Sequence, residues 1–427
     1  MNEELYNLLK ENVDDTGLPV MDSRLFSETT NKYGKEEFRK TLAEFITKES
    51  KVKEIDYPLK KFDGNRVFDN FCKLRGVDTT KFLTTNPDKE VIEKYDDYKY
   101  PYKEYGLGII DGPNSFNYCS DSFMHDLRME CGSYGFKSPV KRWKERDNLW
   151  GVFGPIWRGV NASKRLTPET YNMAFRLGAY IATQFKPSVA KTIYNMTDAK
   201  TVLDTSMGWG DRLTGFYASN ATHYIGCDPN PDTFERYERM RDYYNKHTTG
   251  KTIQIYNCGA EDLPWDEIKN VDCAFTSPPY FSTERYNEGG KKEELQSWFK
   301  FSDYDSWRDN FYLPVSQKTF DSLSDNGVMM INILDPKVKG KRYRSGDELV
   351  DMLKPHFLGQ VGMRIVQRPQ GKGVFAKDVD GKTIHDKEAM DEFMGKIYIE
   401  NVWCFGKDKN IDLFKHIKTA TLEEFLA

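Results

Sequence analysis

No uninterrupted apolar run approaches the roughly 20 residues that a membrane-spanning helix needs, and the opening MNEELYNLLKEN lacks the basic-then-apolar pattern of a secretory leader. No membrane role is expected, and the cytoplasm is the expected location. Cysteine is sparse and unpatterned: seven residues, an odd number, with no Cys-x-x-Cys pair. That excludes a disulfide framework and a structural zinc site. Six scattered histidines offer no ligand spacing, so no metal is expected. Cys227, Cys258 and Cys273 sit in short apolar runs and read as buried thiols. A large net charge is also missing. The formal value of −4 excludes a simple basic DNA-binding module and leaves nucleic-acid binding to a local basic face.

At 427 residues the chain exceeds what one hydrophobic core usually organises, so two domains are expected. Apolar residues at 38%, charged at 30% and aromatics at 14% describe a folded globular chain. Residues 1–150 read as a mainly helical domain for nucleic-acid recognition or partner binding. In EEFRKTLAEFITKE, for example, Phe38, Leu42, Phe45 and Ile46 fall on one helical face. The Tyr-rich, Gly/Pro-punctuated stretch 95–118 reads as irregular. Residues 151–427 alternate short apolar runs with amphipathic segments, the pattern of a doubly wound α/β sheet. Seven strands are expected, at 201–203, 223–227, 253–258, 273–276, 328–333, 363–367 and 402–405. Helices are expected from Asp211, over 231–246 with Phe234, Tyr237 and Met240 facing the sheet, and over 304–323.

The segment VLDTSMGWGDRL runs from the first of these strands into a turn with Gly208 and Gly210, then into a helix. Glycine there admits a tight turn and the close approach of a ligand to the carboxyl end of a strand. Asp228 follows the second strand, placed to accept hydrogen bonds from two ribose hydroxyls. Glu261 and Asp262 follow the third, where a carboxylate can accept from an adenine amino group. A Rossmann dehydrogenase carries Gly-x-Gly-x-x-Gly; here Leu213 stands at the third glycine position. Asp204, ahead of the glycines, would repel a pyrophosphate and suits a sulfonium and an amine. The charge pattern favours S-adenosylmethionine as cofactor.

The fourth strand ends in Ser277-Pro278-Pro279-Tyr280. Two prolines fix φ and remove two backbone donors, so the chain is stiff and its carbonyls are free for a ligand. An amino group held there can donate to the Ser277 side chain and the Pro278 carbonyl, which directs its lone pair at a methyl group. Tyr280 offers a ring face to a flipped base, worth roughly 1–3 kcal/mol. No cysteine follows this strand, which excludes cytosine carbon-5 chemistry.

With these motifs in this order, residues 165–407 resemble the amino-methyltransferases that modify adenine at N6 or cytosine at N4. Their signature is Asp, Asn or Ser followed by Pro-Pro and an aromatic. The resemblance implies an α/β, Rossmann-like class I methyltransferase fold with a seven-stranded sheet. It also implies catalytic residues Ser277, Pro278, Pro279 and Tyr280, and cofactor contacts from Asp204, Thr205, Gly208, Gly210, Asp228, Glu261 and Asp262. Gly208-Trp209-Gly210-Asp211-Arg212-Leu213, Tyr224-Ile225-Gly226 with Asp228-Pro229-Asn230, and Thr276 to Phe281 together are similar to a virus and bacteriophage type of DNA methylase. The leading Ser tilts the target towards cytosine N4. Related tetrapeptides occur in enzymes that methylate RNA bases or a protein glutamine amide, and a catalytically silent scaffold subunit is the rival reading from another class.

Two basic stretches interleaved with aromatics, Lys137 to Arg146 and Lys337 to Arg344, suit a phosphate backbone. The second directly follows the fifth strand. Lys337, Lys339, Lys341, Arg342 and Arg344, with Phe281 and Arg285 beside the catalytic loop, are therefore the expected substrate contacts. DNA stands ahead of RNA as the partner, and a homodimer or a partner subunit stays open. The polar segment 282–298 reads as a mobile cover, and the insert 371–393 as a hairpin near the same mouth.

Overall fold

The computed structural model describes residues 2–53, 56–95, 97–133, 136–145, 164–178, 181–283, 285–365, 375–377, 383–385, 391–392 and 394–417. The chain forms two compact units. The first comprises Met1–Arg66, Ser122–Thr183 and Arg285–Glu293; the second comprises Val67–Asp121, Gln184–Glu284 and Glu294–Ala427. The boundary expected at residue 150 is therefore corrected. Residues 67–121 belong with the sheet because they contribute strands to it, and residues 285–293 leave the catalytic half for the first unit.

The first unit contains the helices Glu3–Glu11, Ser23–Tyr33 and Lys35–Lys53. Local sequence sets their ends. The Asn2 side chain accepts from Leu5 N at 3.0 Å and Asp22 from Leu25 N at 2.8 Å, each satisfying a donor that the first helical turn leaves unpaired. Gly34, at φ 78°, breaks the second helix from the third. Phe38, Leu42, Phe45 and Ile46 are buried as their spacing predicts, in one core with Leu5, Phe26, Trp143 and Tyr171. Each fully buried side chain of this kind stabilises the unit by about 1.5–3 kcal/mol.

The second unit is built on a ten-stranded sheet. Its members are β1 (Leu83–Thr84), β2 (Glu90–Glu93), β3 (Gly106–Ile110), β4 (Thr201–Asp204), β5 (His223–Cys227), β6 (Thr252–Tyr256), β7 (Val271–Thr276) and β8 (Leu323–Asn332), followed later in the chain by β11 (Phe357–Arg364) and β14 (Lys396–Gly406). Two short hairpins lie between these: β9 (Lys337–Val338) with β10 (Lys341–Arg342), and β12 (Phe375–Lys377) with β13 (Thr383–His385). The sheet order is β1-β3-β11-β14-β8-β7-β4-β5-β6, with β2 also paired to β14. Strands β6, β5, β4, β7 and β8 run parallel, and β14 enters antiparallel between β8 and β11. The winding direction reverses between β4 and β7, which leaves a crevice at their carboxyl ends where α/β sheets bind ligands. The fold is of the expected Rossmann-like α/β class.

All seven expected strands are present, and three more come from residues 83–110, within and next to the stretch read as irregular. The β3 sequence GLGII is short and half glycine at its start, so its propensity is poor; pairing in parallel with β11 decides it. Strand β11 begins at Phe357, earlier than the expected 363–367. The expected hairpin in the insert is seen as β12 and β13; apart from residues 391–392, the rest of that insert lies outside the described residues. The Pro231–Asn245 helix buries Thr233, Tyr237, Met240 and Tyr244, whereas Phe234 is half-buried. Cys227 and Cys273 are buried as expected; Cys258 is only partly so. No helix among the described residues is long and apolar enough to cross a membrane.

Candidate active site at the carboxyl ends of β4 and β7

Asp204 closes β4 and is fully buried. Its Oδ2 accepts from Arg212 Nε at 2.8 Å and Tyr224 OH at 2.7 Å, and its Oδ1 from Ser206 N at 3.2 Å and Thr276 Oγ1 at 3.1 Å. A carboxylate offers about four lone-pair sites, so none remains for a ligand amine. The expected ligand contact is corrected to a structural one: Asp204 ties β4 to β7 through Thr276 and pins the following turn through Ser206 and Arg212. Arg212, itself buried and also donating to the Ser206 carbonyl, is the cation that this carboxylate faces. Thr205 is buried as well; it borders a cavity of about 10 Å³ beneath the catalytic loop with Thr276, Pro278 and Tyr312, room for about one water.

The turn that follows leaves its backbone open to close approach. Gly208 and Gly210 adopt φ of 57° and 73°, where a Cβ is strained, and around Gly208 the nearest atom to an added Cβ would be 3.8 Å away. Backbone and ligand can therefore meet closely at Gly208. Asp228 is half-buried just past β5; its carboxylate accepts from Gly208 N, Asn230 N and Thr233 Oγ1, each at 3.0 Å. Burial pushes its pKa up against these donors. The Tyr237 hydroxyl also bonds to it, so most of the Asp228 acceptor sites, expected to serve two ribose hydroxyls, are met within the chain. Of the acidic pair after β6, Asp262 is exposed. Glu261 receives Lys300 Nζ on Oε1 at 2.9 Å, and its Oε2 is buried with no hydrogen-bond donor among the described residues. An orphaned carboxylate oxygen is what an amino-bearing ligand would satisfy, so Glu261 and not Asp262 fits the adenine role.

The candidate catalytic loop leaves β7 as Ser277-Pro278-Pro279-Tyr280. Ser277 Oγ lies 2.7 Å from Tyr280 OH, and both hydroxyls reach Asn332 Oδ1, at 3.4 Å from Ser277 and 3.1 Å from Tyr280. Asn332 ends β8, is buried, and donates through Nδ2 to the Asn401 carbonyl at 3.2 Å. Sequence reasoning missed it. The available signal was an amide inside the apolar run VMMINIL, since a polar group buried in a strand must find partners. The turn is closed by Phe281 N donating to Pro279 O and Thr283 N to Tyr280 O, each at 2.9 Å.

Phe281 has φ 49°, an uncommon value for a bulky side chain, and is held there by Tyr304 and Trp307 with ring centroids 6.0 and 5.9 Å away. Its expected substrate contact is corrected: the ring is a buried anchor that aims the loop. Arg285 belongs to the first unit, where it pairs with Glu288 at 2.9 Å and its N donates to Ser133 Oγ. The segment expected as a mobile cover is thus partly committed there, with Asn287 N also bonded to Gly132 O.

The basic stretch after β8 divides in the same way. Lys337, Lys339 and Lys341 are exposed on the β9–β10 hairpin, whose two turn residues, Lys339 and Gly340, are both left-handed at φ 48° and 83°. Arg342, in contrast, stacks on Tyr95 at 3.6 Å and donates to Asp335 O. Arg344 is taken by Asp347 at 2.6 Å, Asp97 at 3.4 Å and Asp335 at 3.6 Å. Both arginines are corrected from substrate contacts to internal ones. Asp335 is buried, and that burial pushes its carboxyl up to about 7 despite donors from Gly346 N and Ser345.

No protein-family model and no curated protein matches the chain. Among solved structures it is similar to an rRNA methylase from Streptococcus thermophilus, at 12% identity over 53% of this chain and 99% of that one, with a TM-score of 0.29. It is likewise similar to the precorrin-6y C5,15-methyltransferase from Geobacter metallireducens, at 10% identity over 52% and 87%, with a TM-score of 0.27. Superpositions this loose say nothing about substrate. The fold rests on strand order and direction.

Proposed function

We propose that the protein transfers a methyl group from S-adenosylmethionine to an exocyclic amino nitrogen of a nucleic-acid base. The observation that carries this is the acceptor-rich Ser277-Pro278-Pro279-Tyr280 loop at the crevice between β7 and β4, at the same sheet end as the glycine turn after β4. The cofactor would lie along Gly208 and Gly210, with a ribose hydroxyl on Asp228 and the adenine amino group on Glu261. When bound, it supplies an electrophilic methyl group on a sulfonium. The chain's own residues hold and orient the acceptor: Ser277 Oγ and the Pro278 carbonyl receive the two N–H bonds of the amine, which leaves its lone pair for the methyl group. Transfer would form the nitrogen–carbon bond as the sulfur–carbon bond of the cofactor breaks, and the proton that the methylated nitrogen then loses would pass to solvent at the crevice mouth. The Tyr280 ring stacks on the base.

Lys337, Lys339 and Lys341 would neutralise phosphates of the strand that carries the base. DNA is the substrate we favour, cytosine N4 ahead of adenine N6, with an RNA base as the second reading. Mass spectrometry of nucleosides from DNA and RNA of cells expressing wild type, Ser277→Ala or Asp228→Ala tests this. A methylated nucleoside present only with the wild type identifies base and sugar together; none in either pool, with the cofactor bound, would sink the reading.

A further inference from the structure

We infer that Asn332 sets the hydrogen-bond polarity of the catalytic loop and is thereby the residue that makes the site select an amino group over an oxo group. The inference rests on the proposed transfer to an exocyclic amine. The side-chain amide of Asn332 has no freedom of orientation. Its Nδ2 lies 3.2 Å from the Asn401 carbonyl, an obligate acceptor, so Oδ1 must face the two hydroxyls. Oδ1 accepts only. The shorter approach is from Tyr280 OH, at 3.1 Å against 3.4 Å for Ser277, and the phenol is also the stronger acid, so Tyr280 donates to Asn332. That leaves the Tyr280 oxygen to accept from Ser277 across 2.7 Å. Every hydroxyl proton is then drawn inward, and Ser277 Oγ presents lone pairs alone to the crevice.

Without Asn332 Oδ1 the arrangement inverts. The Tyr280 phenol would donate to Ser277, and the Ser277 proton would be free to point outward as a donor. At Ser277, a loop with that polarity welcomes the oxo group of uracil or hypoxanthine, and the preference for the amino group of cytosine or adenine is left to the Pro278 carbonyl alone. Asn332 is thus a positioning residue, acting through Ser277 and Tyr280.

The test measures binding of oligonucleotides carrying one central cytosine or uracil, and one adenine or hypoxanthine, to the full-length protein with S-adenosylhomocysteine present, alongside kcat and KM. A mispaired buried polar group costs about 1–3 kcal/mol, so the wild type should prefer the amino base by about tenfold to a hundredfold. Asn332→Leu should lower that ratio by about tenfold, the Pro278 carbonyl still favouring an N–H, and lower kcat more than it raises KM. Asn332→Asp should recover the preference as the pH falls, because the neutral acid can donate to the Asn401 carbonyl and accept the hydroxyls as the amide does. A leucine variant that keeps the full preference while melting earlier would overturn the inference and leave Asn332 a structural residue. If the wild type transfers no methyl group and shows no base preference, the functional reading fails. The polarity is then decided by thermal unfolding of Asn332→Leu, Tyr280→Phe and the double variant: non-additive shifts support it, and additive ones refute it.

Discussion

Asp204 and Ser277 stand at or just past the ends of neighbouring strands of one sheet, and their side chains have opposite fates. Asp204 is sealed, its four acceptor sites filled by Arg212, Tyr224, Ser206 and Thr276. Ser277 is half-buried, and its network with Tyr280 and Asn332 leaves acceptor capacity unspent. A polar group whose valence is exhausted within the chain holds architecture; one with capacity to spare beside a crevice is available to a ligand. The same division separates Arg342 and Arg344, which are internally committed, from the exposed Lys337 and Lys339; Lys341 is exposed too, with its ammonium 4.6 Å from the Tyr343 ring centroid.

Asp204→Ala tests that division hardest. It strands the buried Arg212 without its counter-charge, and a loss of about 3–5 kcal/mol in urea unfolding is expected; a loss below about 1 kcal/mol would erase the contrast with Ser277. Next comes Asp335, another buried carboxylate, whose folded pKa of about 7 lies above its unfolded value near 3.9. Between those values the folded chain keeps a proton that the unfolded chain has lost. Its stabilising contribution is therefore complete below about pH 4 and disappears as pH rises through about 7. Unfolding measured at pH 4.5 and pH 8 should show the wild type losing about 1–3 kcal/mol, and Asp335→Asn should remove most of that slope.

Ser277→Ala should change stability by no more than about 1 kcal/mol while lowering methyl transfer by about a hundredfold or more, the scale of losing one preorganised partner of the reacting group. Stability and activity falling together would put Ser277 on the Asp204 side of the comparison. The smallest stability effect belongs to the exposed lysines. Changing Lys337, Lys339 and Lys341 to Gln should shift unfolding by less than about 0.5 kcal/mol, yet flatten the salt dependence of nucleic-acid binding by about 0.7–0.9 in log–log slope for each lysine that meets a phosphate.

Most of the sheet was legible because its parallel strands are buried on both faces and read as short apolar runs between glycine and proline signals. The backbone of the glycine turn and of the Ser277-Pro278-Pro279-Tyr280 loop was legible because glycine and proline constrain the chain wherever they fall. Side-chain partnership was not. Nothing in the sequence distinguishes Arg344, held by three carboxylates, from Lys339 five residues earlier, because the partners Asp97, Asp335 and Asp347 come from separate elements. Phe281 looked like a substrate contact because it adjoins the tetrapeptide, and only the aromatic cluster around it reveals an anchor. Strand β3 escaped detection because its conformation depends on a partner found far along the chain.

That partner has a consequence for how the protein is made. Strand β3 ends at Ile110, whereas β11, against which it lies, is complete only at Arg364. During synthesis at about 5–20 residues per second, the early strand waits roughly ten seconds to a minute before the segment that receives it exists. Over that interval its backbone donors and acceptors are open to other chains, and the yield of folded protein should depend on crowding and on translation speed through residues 111–364.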